Sequence, residues 1–264
     1  MFYHARVFNK CLPLVYILAG DKKGDTYAYI LSLIKYYFDE HCPVDDGTIL
    51  IDFEKAVMNA FQAVLPTWAI INCFFHICQT VQKNIQKKFK LNYFSDKLFA
   101  RASRLVVFLA FVPIADVEDA FYEITYYIQT TYPQLMVVVN YFEKTFLGVV
   151  TVDSEDRIPP SFPLEFWNHF DRILVNPDFP RTSNMVEGFH RGFKSRVNRP
   201  KPSVQEYFTA VREQQVITDY HIDRLDVGKT PSKKRKTSNS ELFTICSTYS
   251  SRTNRNQSNF ESWE

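Results

Sequence analysis

The apolar pattern of this chain changes character once, and that change limits what it can fold into. Up to residue 71, short β-type runs alternate with helical stripes; from residue 74 the spacing is helical in segment after segment. Residues 2–9 and 12–18 read as strands that could pair, and Thr26 through Phe38 repeats apolar and aromatic residues at helical spacing. Residues 48–52 read as a strand, 53–64 as a helix and Trp68-Ala-Ile-Ile71 as a short strand. Strands joined through helices call for an α/β sheet, so the first 72 residues predict an α/β unit and the remainder a helical block.

Within the α/β part, Ile49-Leu-Ile-Asp52-Phe-Glu54 delivers a carboxylate at a strand end and turns directly into a helix. A strand end is a rigid place to hold a metal-binding carboxylate. Much further along, Arg181-Thr-Ser-Asn184-Met-Val-Glu187-Gly-Phe-His190 sets a second carboxylate in the first turn of another helix. Two such acids, brought together by a fold, could hold a divalent cation. Each also has a structural reading: Asp52 as a helix-start residue, and Glu187 as the closing member of a capping box with Asn184 three positions earlier.

Other chemistries are excluded by what the sequence lacks. With 7 Gly in the whole chain there is no glycine-rich phosphate loop, which removes the dinucleotide-binding and P-loop classes. Ser/His/Asp and Cys/His nucleophiles have no local signature. Metal-assisted phosphoryl chemistry remains, and it needs carboxylates that hold two divalent ions about 3.5–4 Å apart. A net charge of only +2 means that attraction to nucleic acid must come from local basic patches.

Five scattered cysteines, Cys11, Cys42, Cys73, Cys78 and Cys246, argue for a reducing compartment and against a disulfide framework. Two of them frame Cys73-Phe-Phe-His76-Ile-Cys78, which offers soft and borderline metal donors. A closed zinc site needs four ligands and no second Cys/His pair follows, so a core cysteine beside a backbone-bonded histidine is the competing reading. The longest apolar run, Leu105 to Val112, is stopped by Pro113, short of the roughly 18 residues a membrane span requires. Cys11 to Gly20 follows Arg6 and Lys10 in the outline of an export leader, yet Val15-Tyr16-Ile17-Leu18 reads equally well as a buried strand. A soluble protein without membrane contact is expected.

In the helical block, Ile77, Val81, Ile85 and Phe89 form an apolar stripe, with Lys83, Lys87, Lys88 and Lys90 on or near the other faces as a solvated surface or as phosphate contacts. Further helices are expected near 93–107, 116–130, 133–146 and 164–172, with breaks at Pro159-Pro160 and at Asn176-Pro177 with Pro180. The segment 183–197 puts Val186, Phe189, Phe193 and Val197 on one face and Glu187, Arg191 and Lys194 on others. After about residue 226 the composition falls away to Ser, Thr, Asn, Lys and Arg, which predicts a disordered tail. Within it, Lys233-Lys234-Arg235-Lys236 is the type of cluster that import receptors or nucleic acid read, or else a solubilising linker.

Several blocks, taken in order, resemble the transposases of Mutator-like elements, the MULE transposase domains, over roughly residues 2–218. They are Leu12-Pro-Leu-Val-Tyr-Ile-Leu18, Ile49 to Ala56, Cys73-Phe-Phe-His76-Ile-Cys-Gln79, Leu109-Ala-Phe-Val-Pro113, Tyr141-Phe-Glu143, Phe166-Trp167-Asn168 and Arg181 to His190. The resemblance implies a ribonuclease H-like α/β sheet with an Asp, Asp, Glu triad and a large all-helical insertion before the glutamate, mostly helical overall. The chain then divides into a partial sheet unit (1–72), the insertion (73–180), C-terminal helices returning to the sheet (181–222) and the tail (223–264).

By position, Asp52 matches the second aspartate and Glu187 the glutamate, both catalytic and metal-holding in relatives. Cys73 and His76 match the family's C/D-x-x-H motif in a supporting role, with Asn184 and His190 beside them. The resemblance also implies two Mg²⁺ (or Mn²⁺) ions, a nuclear setting and DNA as partner, with Lys83, Lys87, Lys88, Arg191 and Lys194 as candidate contacts.

One departure qualifies the match. The family's first aspartate lies in an Asp-Gly-Thr-Phe-like block on the strand that opens the fold, expected upstream of Met1; the Asp46-Gly47-Thr48 here precedes the Asp52 strand and reads as a turn. The missing strand is central in that fold, so its loss predicts two edges facing an unfilled slot and a site one anionic ligand short. The expectation is therefore a catalytically incomplete transposase domain with weak or absent metal binding. The alternative is a non-enzymatic DNA- or protein-binding module of the same descent. Oligomeric state is left open by the sequence.

Overall fold

Alternation in the first part of the chain is realised as strand β1 (Phe2–Val7), strand β2 (Lys10–Tyr16), helix α1 (Gly24–His41), strand β3 (Thr48–Ile51), helix α2 (Lys55–Val64) and strand β4 (Ala69–Asn72). The computed structural model describes residues 2–7, 10–151, 154–197, 199, 202–228 and 237–261. Among them β1 and β2 pair antiparallel, while β3 and β4 pair parallel from Thr48↔Ala69 to Ile51↔Asn72. These two pairs are not bonded to each other, and with a later hairpin they make three separate two-stranded sheets among the described residues of a mostly helical molecule. The segment that resembles an export leader lies largely in β2. Helices α1 and α2 cover the β3–β4 pair through a core of Tyr27, Leu31, Ala60, Phe61, Leu65 and Ile70.

The helical block begins with α3 (Phe74–Ser95), whose expected stripe is buried at Ile77, Val81 and Ile85 and is interrupted by non-helical backbone at Phe89. It continues through α4 (Lys97–Ala102), capped by Asp96, α5 (Val117–Thr131) and α6 (Met136–Phe142). The helix expected over 93–107 stops at Ala102, and Leu105–Phe111 is a 3₁₀ segment that buries Val106, Val107, Leu109 and Ala110.

A hairpin of β5 (Val149–Thr151) and β6 (Ser154–Ile158) follows where no strand is expected from the sequence. Gly148 opens it with φ +86°, a conformation in which a Cβ would collide with the Ile158 carbonyl. Arg157 holds it down, with Nε 2.8 Å from Glu118 and Nη1 donating to the Gly148 carbonyl at 2.8 Å.

The helix expected over 164–172 is divided into α7 (Leu164–Trp167) and α8 (Phe170–Val175). Asn168 causes the break: its side-chain oxygen accepts from Phe170 N–H at 2.9 Å while its amide donates to the Val112 carbonyl at 2.8 Å. Helices α9 (Asn184–Val197) and α10 (Val204–Asp226) then return to the β1–β2 hairpin, where the His4 ring meets Phe189 edge-on at 4.7 Å.

The tail departs from expectation. Thr237–Glu261 forms helix α11, with Leu242, Phe243 and buried Cys246 packed on Phe170 and Ile173 of α8. The contacting apolar residues stand at i, i+1 and i+4 in a segment dominated by Ser, Thr and Asn, which does not read as a core stripe, but α8 offers them a complementary face. The basic run Lys233–Lys236 lies outside the described residues.

Fully buried His169 sits between Phe74 and Phe111, and neither ring nitrogen makes a well-formed hydrogen bond. Burial pushes it down from 6.5 to about 4, Arg172 and Arg181 add to the shift, and a backbone group of Asn72 pulls weakly the other way. Because the folded value is depressed, the unfolded chain binds the extra proton between those pH values, and stability falls on acidification. His169 alone should cost about 2–3 kcal/mol between pH 7 and pH 4.5. Urea unfolding at both pH values is expected to show that loss in the native chain and a loss smaller by that amount in His169→Phe; equal losses would mean that His169 is not the group responsible.

Candidate functional site

The register of β3 against β4 positions the site. Ile51 faces Asn72 and the Cys73 N–H extends the ladder to the Ile51 carbonyl at 2.9 Å, so Asp52 and Cys73 leave the two strands side by side. The turn after β3 is fixed at the Asp52 carbonyl, which accepts from Glu54 N–H at 2.8 Å and from the buried Asn72 amide at 3.3 Å. Phe53 anchors it from below, edge-on to Phe162 at 4.7 Å and to Phe146 at 5.6 Å. Cys73 is the N-cap of α3, and His76 lies three residues on, in the first turn.

Three donors meet there. Asp52, Cys73 and His76 each offer a ligand atom, all within 4.8 Å of one another, and they are exposed, buried and half-buried respectively. His76 Nδ1 stands 3.0 Å from Asp52 Oδ1, a charge contact in which the ring N–H is poorly aligned for a directional hydrogen bond. The Asp52 carboxylate first, then the Cys73 thiol, raise His76 from 6.5 to about 10 against the opposing effect of burial. For Cys73 burial acts upward, but His76 and Ser183 outweigh it and the thiol is lowered overall. Cys78, one helical turn away, is pushed up to about 11 by burial and packs against the helical core.

The chain comes back to this point after the helical block. Phe74 N–H donates to the Arg181 carbonyl at 2.8 Å, Ser183 N–H reaches Cys73 Sγ at 3.2 Å, and Ser183 Oγ lies 3.4 Å from the same sulfur. Helix α9 starts directly afterwards. Its first bond runs from Glu187 N–H to the Ser183 carbonyl at 2.9 Å, so Ser183 occupies the cap position that the sequence assigns to Asn184. Asn184 is exposed and Glu187 half-buried. Burial lowers His190, assisted by Lys194, while both Asp52 and Glu187 pull it upward. His190 therefore lies within electrostatic reach of both acids, although Glu187 is outside the group of three close donors.

Among the candidate DNA contacts, Lys87, Lys88, Arg191 and Lys194 are exposed, and exposed Lys83 bonds Gln79 at 2.9 Å. At 1.5 Å per residue along α3, Lys83 is roughly 10 Å and Lys87 roughly 16 Å from His76. Ser183, which touches Cys73, and Asn72, which fixes the Asp52 turn, are not singled out by sequence reasoning. Ser183 lies inside a quoted motif and Asn72 immediately before one, and only the pairing of distant segments gives them a role.

A family model described as the MULE transposase domain matches residues 3–80, which include Asp52, Cys73 and His76 but not Glu187. No curated protein and no solved structure matches the chain. The family implies metal-dependent catalysis in relatives, and the Mg²⁺ (or Mn²⁺) expected from the resemblance favours oxygen ligands, Mg²⁺ in octahedral geometry. The donors that converge here are one carboxylate oxygen, one imidazole nitrogen and one sulfur, and this set does not fit Mg²⁺.

Because the folded value of His76 is raised, the stability it contributes is complete below pH 6.5 and is lost as pH climbs toward 10. An imidazole NMR titration is expected to place its midpoint near 10, and in Asp52→Asn well below that. A midpoint near 6.5 in the native chain would mean that the three groups do not interact as described.

Proposed function

We propose that this chain is a transposon-derived, DDE-type transposase domain of ribonuclease H-like descent that binds DNA without cutting it. The observation that carries the reading is the match to the MULE transposase domain over residues 3–80, within which the strand-end acid Asp52 is followed by Cys73-x-x-His76. Support comes also from the long excursion of the chain between Cys73 and Ser183, which ends in contact with the sulfur where it began. Asp52 and Glu187 stand as acids of the site. Asp52 is the one carboxylate in the three-donor cluster, so Mg²⁺ or Mn²⁺ binding is weak and metal-dependent cleavage is absent.

Affinity for DNA then comes from exposed cations on α3 and α9, with Lys83, Lys87, Lys88, Arg191 and Lys194 on phosphates. Such a protein acts in the nucleus, with Lys233–Lys236 as the import signal. Among the described residues no helix is long and apolar enough to cross a membrane.

Fluorescence anisotropy with duplex DNA over a range of salt tests the reading. The logarithm of affinity should fall linearly with the logarithm of salt, with a slope smaller by about 0.9 for each phosphate contact removed in Arg191→Ala and Lys194→Ala. Asp52→Asn should leave binding no weaker, and Mn²⁺ should produce no nicks. Nicking that disappears in Asp52→Asn would restore the enzyme reading, and absence of salt-sensitive binding would remove DNA as the partner.

A further inference from the structure

We propose that Asp52, Cys73 and His76 form a three-ligand Zn²⁺ site whose fourth position is open to solvent. The donors come from a strand end, a helix cap and the first helical turn, and their ligand atoms already lie within 4.8 Å of one another. With Zn–O and Zn–N bonds near 2.0–2.1 Å and Zn–S near 2.3 Å, a tetrahedral site has ligand–ligand edges of about 3.3–3.6 Å. The His76–Asp52 edge of 3.0 Å is close to that, so closing on an ion asks less than about an ångström of each donor.

Their surroundings hold the donors in place before any ion arrives. The Asp52 turn is tied through its carbonyl to Asn72 and Glu54 and through Phe53 to two aromatic rings. Cys73 is fully buried, and its sulfur accepts the Ser183 N–H at 3.2 Å, the type of outer bond that orients and stabilises a metal-bound thiolate. The sulfur binds as thiolate and Nδ1 through its lone pair, so uptake of the ion releases protons.

Donor chemistry selects the metal class. A sulfur and an imidazole beside a single carboxylate favour zinc or a similar borderline ion over hard Mg²⁺. Exposure sets the coordination: the Asp52 side chain is 56% and His76 24% exposed, so water reaches the side of the cluster away from the buried sulfur. Three protein ligands and one solvent position is the pattern of an open zinc site, and the sequence alone hides it because the third donor lies on another strand, 21 residues before Cys73. The proposal needs no DNA and stands apart from the DNA-binding reading.

Co²⁺ added to the full-length chain tests it, because a thiolate-to-cobalt charge-transfer band reports sulfur ligation directly. One equivalent is expected to produce the band, equimolar Zn²⁺ to abolish it and a large excess of Mg²⁺ to leave it. Cys73→Ser should eliminate the band and Cys78→Ser preserve it. Asp52→Asn and His76→Gln should each weaken binding at least about tenfold, the loss that even an outer-shell partner can cause. If Cys73→Ser does not fold, Asp52→Asn, which alters an exposed side chain, carries the same decision. A chain that gives no band, a band that survives Cys73→Ser, or an affinity for Co²⁺ unchanged in Asp52→Asn would overturn the assignment.

Discussion

The parallel, in-register pairing of β3 with β4 is the constraint on which the site depends. A strand alternates its side chains and a parallel ladder aligns equivalent positions, so matching Ile51 with Asn72 leaves Asp52 and Cys73 adjacent where both strands end. A shift of one residue would turn every side chain of the strand to the opposite face. Helices α1 and α2 prevent that slip by burying Ile70 with Phe61 and Leu65 on one side of the pair. The chain then turns into α3 immediately, so His76 is delivered within a single helical turn of Cys73 and meets the Asp52 carboxylate.

The same point receives the far end of the helical block. Backbone and side-chain bonds join Cys73 and Phe74 to Ser183 and Arg181, more than a hundred residues later. Arg181 is held in turn by Asn239 of α11 at 2.6 Å and lies 5.8 Å from the Phe111 ring centroid. The C-terminal helix thus braces the return segment as well as covering α8. This arrangement explains why α9 begins at Asn184 and why Glu187 comes within electrostatic reach of His190, without placing that acid among the close donors.

Local pattern predicted most of the elements around the site. The strand ending before Asp52, the helix after it and the apolar stripe Ile77, Val81, Ile85 are where the local apolar pattern puts them. The failures share a cause, which is a partner distant in sequence. The β5–β6 hairpin depends on Arg157 reaching Glu118 and Glu143, the break at Asn168 depends on the Val112 carbonyl, and α11 depends on the face of α8. At the site, Asp52 and the Cys73–His76 pair are each visible alone, but their meeting is a consequence of strand register that no local window contains. The proposal of ribonuclease H-like descent rests on the ordered motifs and the match over residues 3–80; among the described residues, three unconnected pairs of strands do not by themselves define that sheet.

Donor chemistry and surface charge divide the two functional readings between different parts of the molecule. Asp52 Oδ1 faces His76, and a cation held by imidazole and sulfur would draw on the same carboxylate that a phosphoryl-transfer centre needs for Mg²⁺. Affinity at such a mixed set rises toward the later divalent metals, so competition for Asp52 favours zinc wherever zinc is present. The phosphate contacts proposed for Lys87, Lys88, Arg191 and Lys194 make no such demand, since they would rely on exposed charge alone and weaken with salt. The proposed DNA contacts and the proposed ion site can therefore vary independently, because they share no ligand atom.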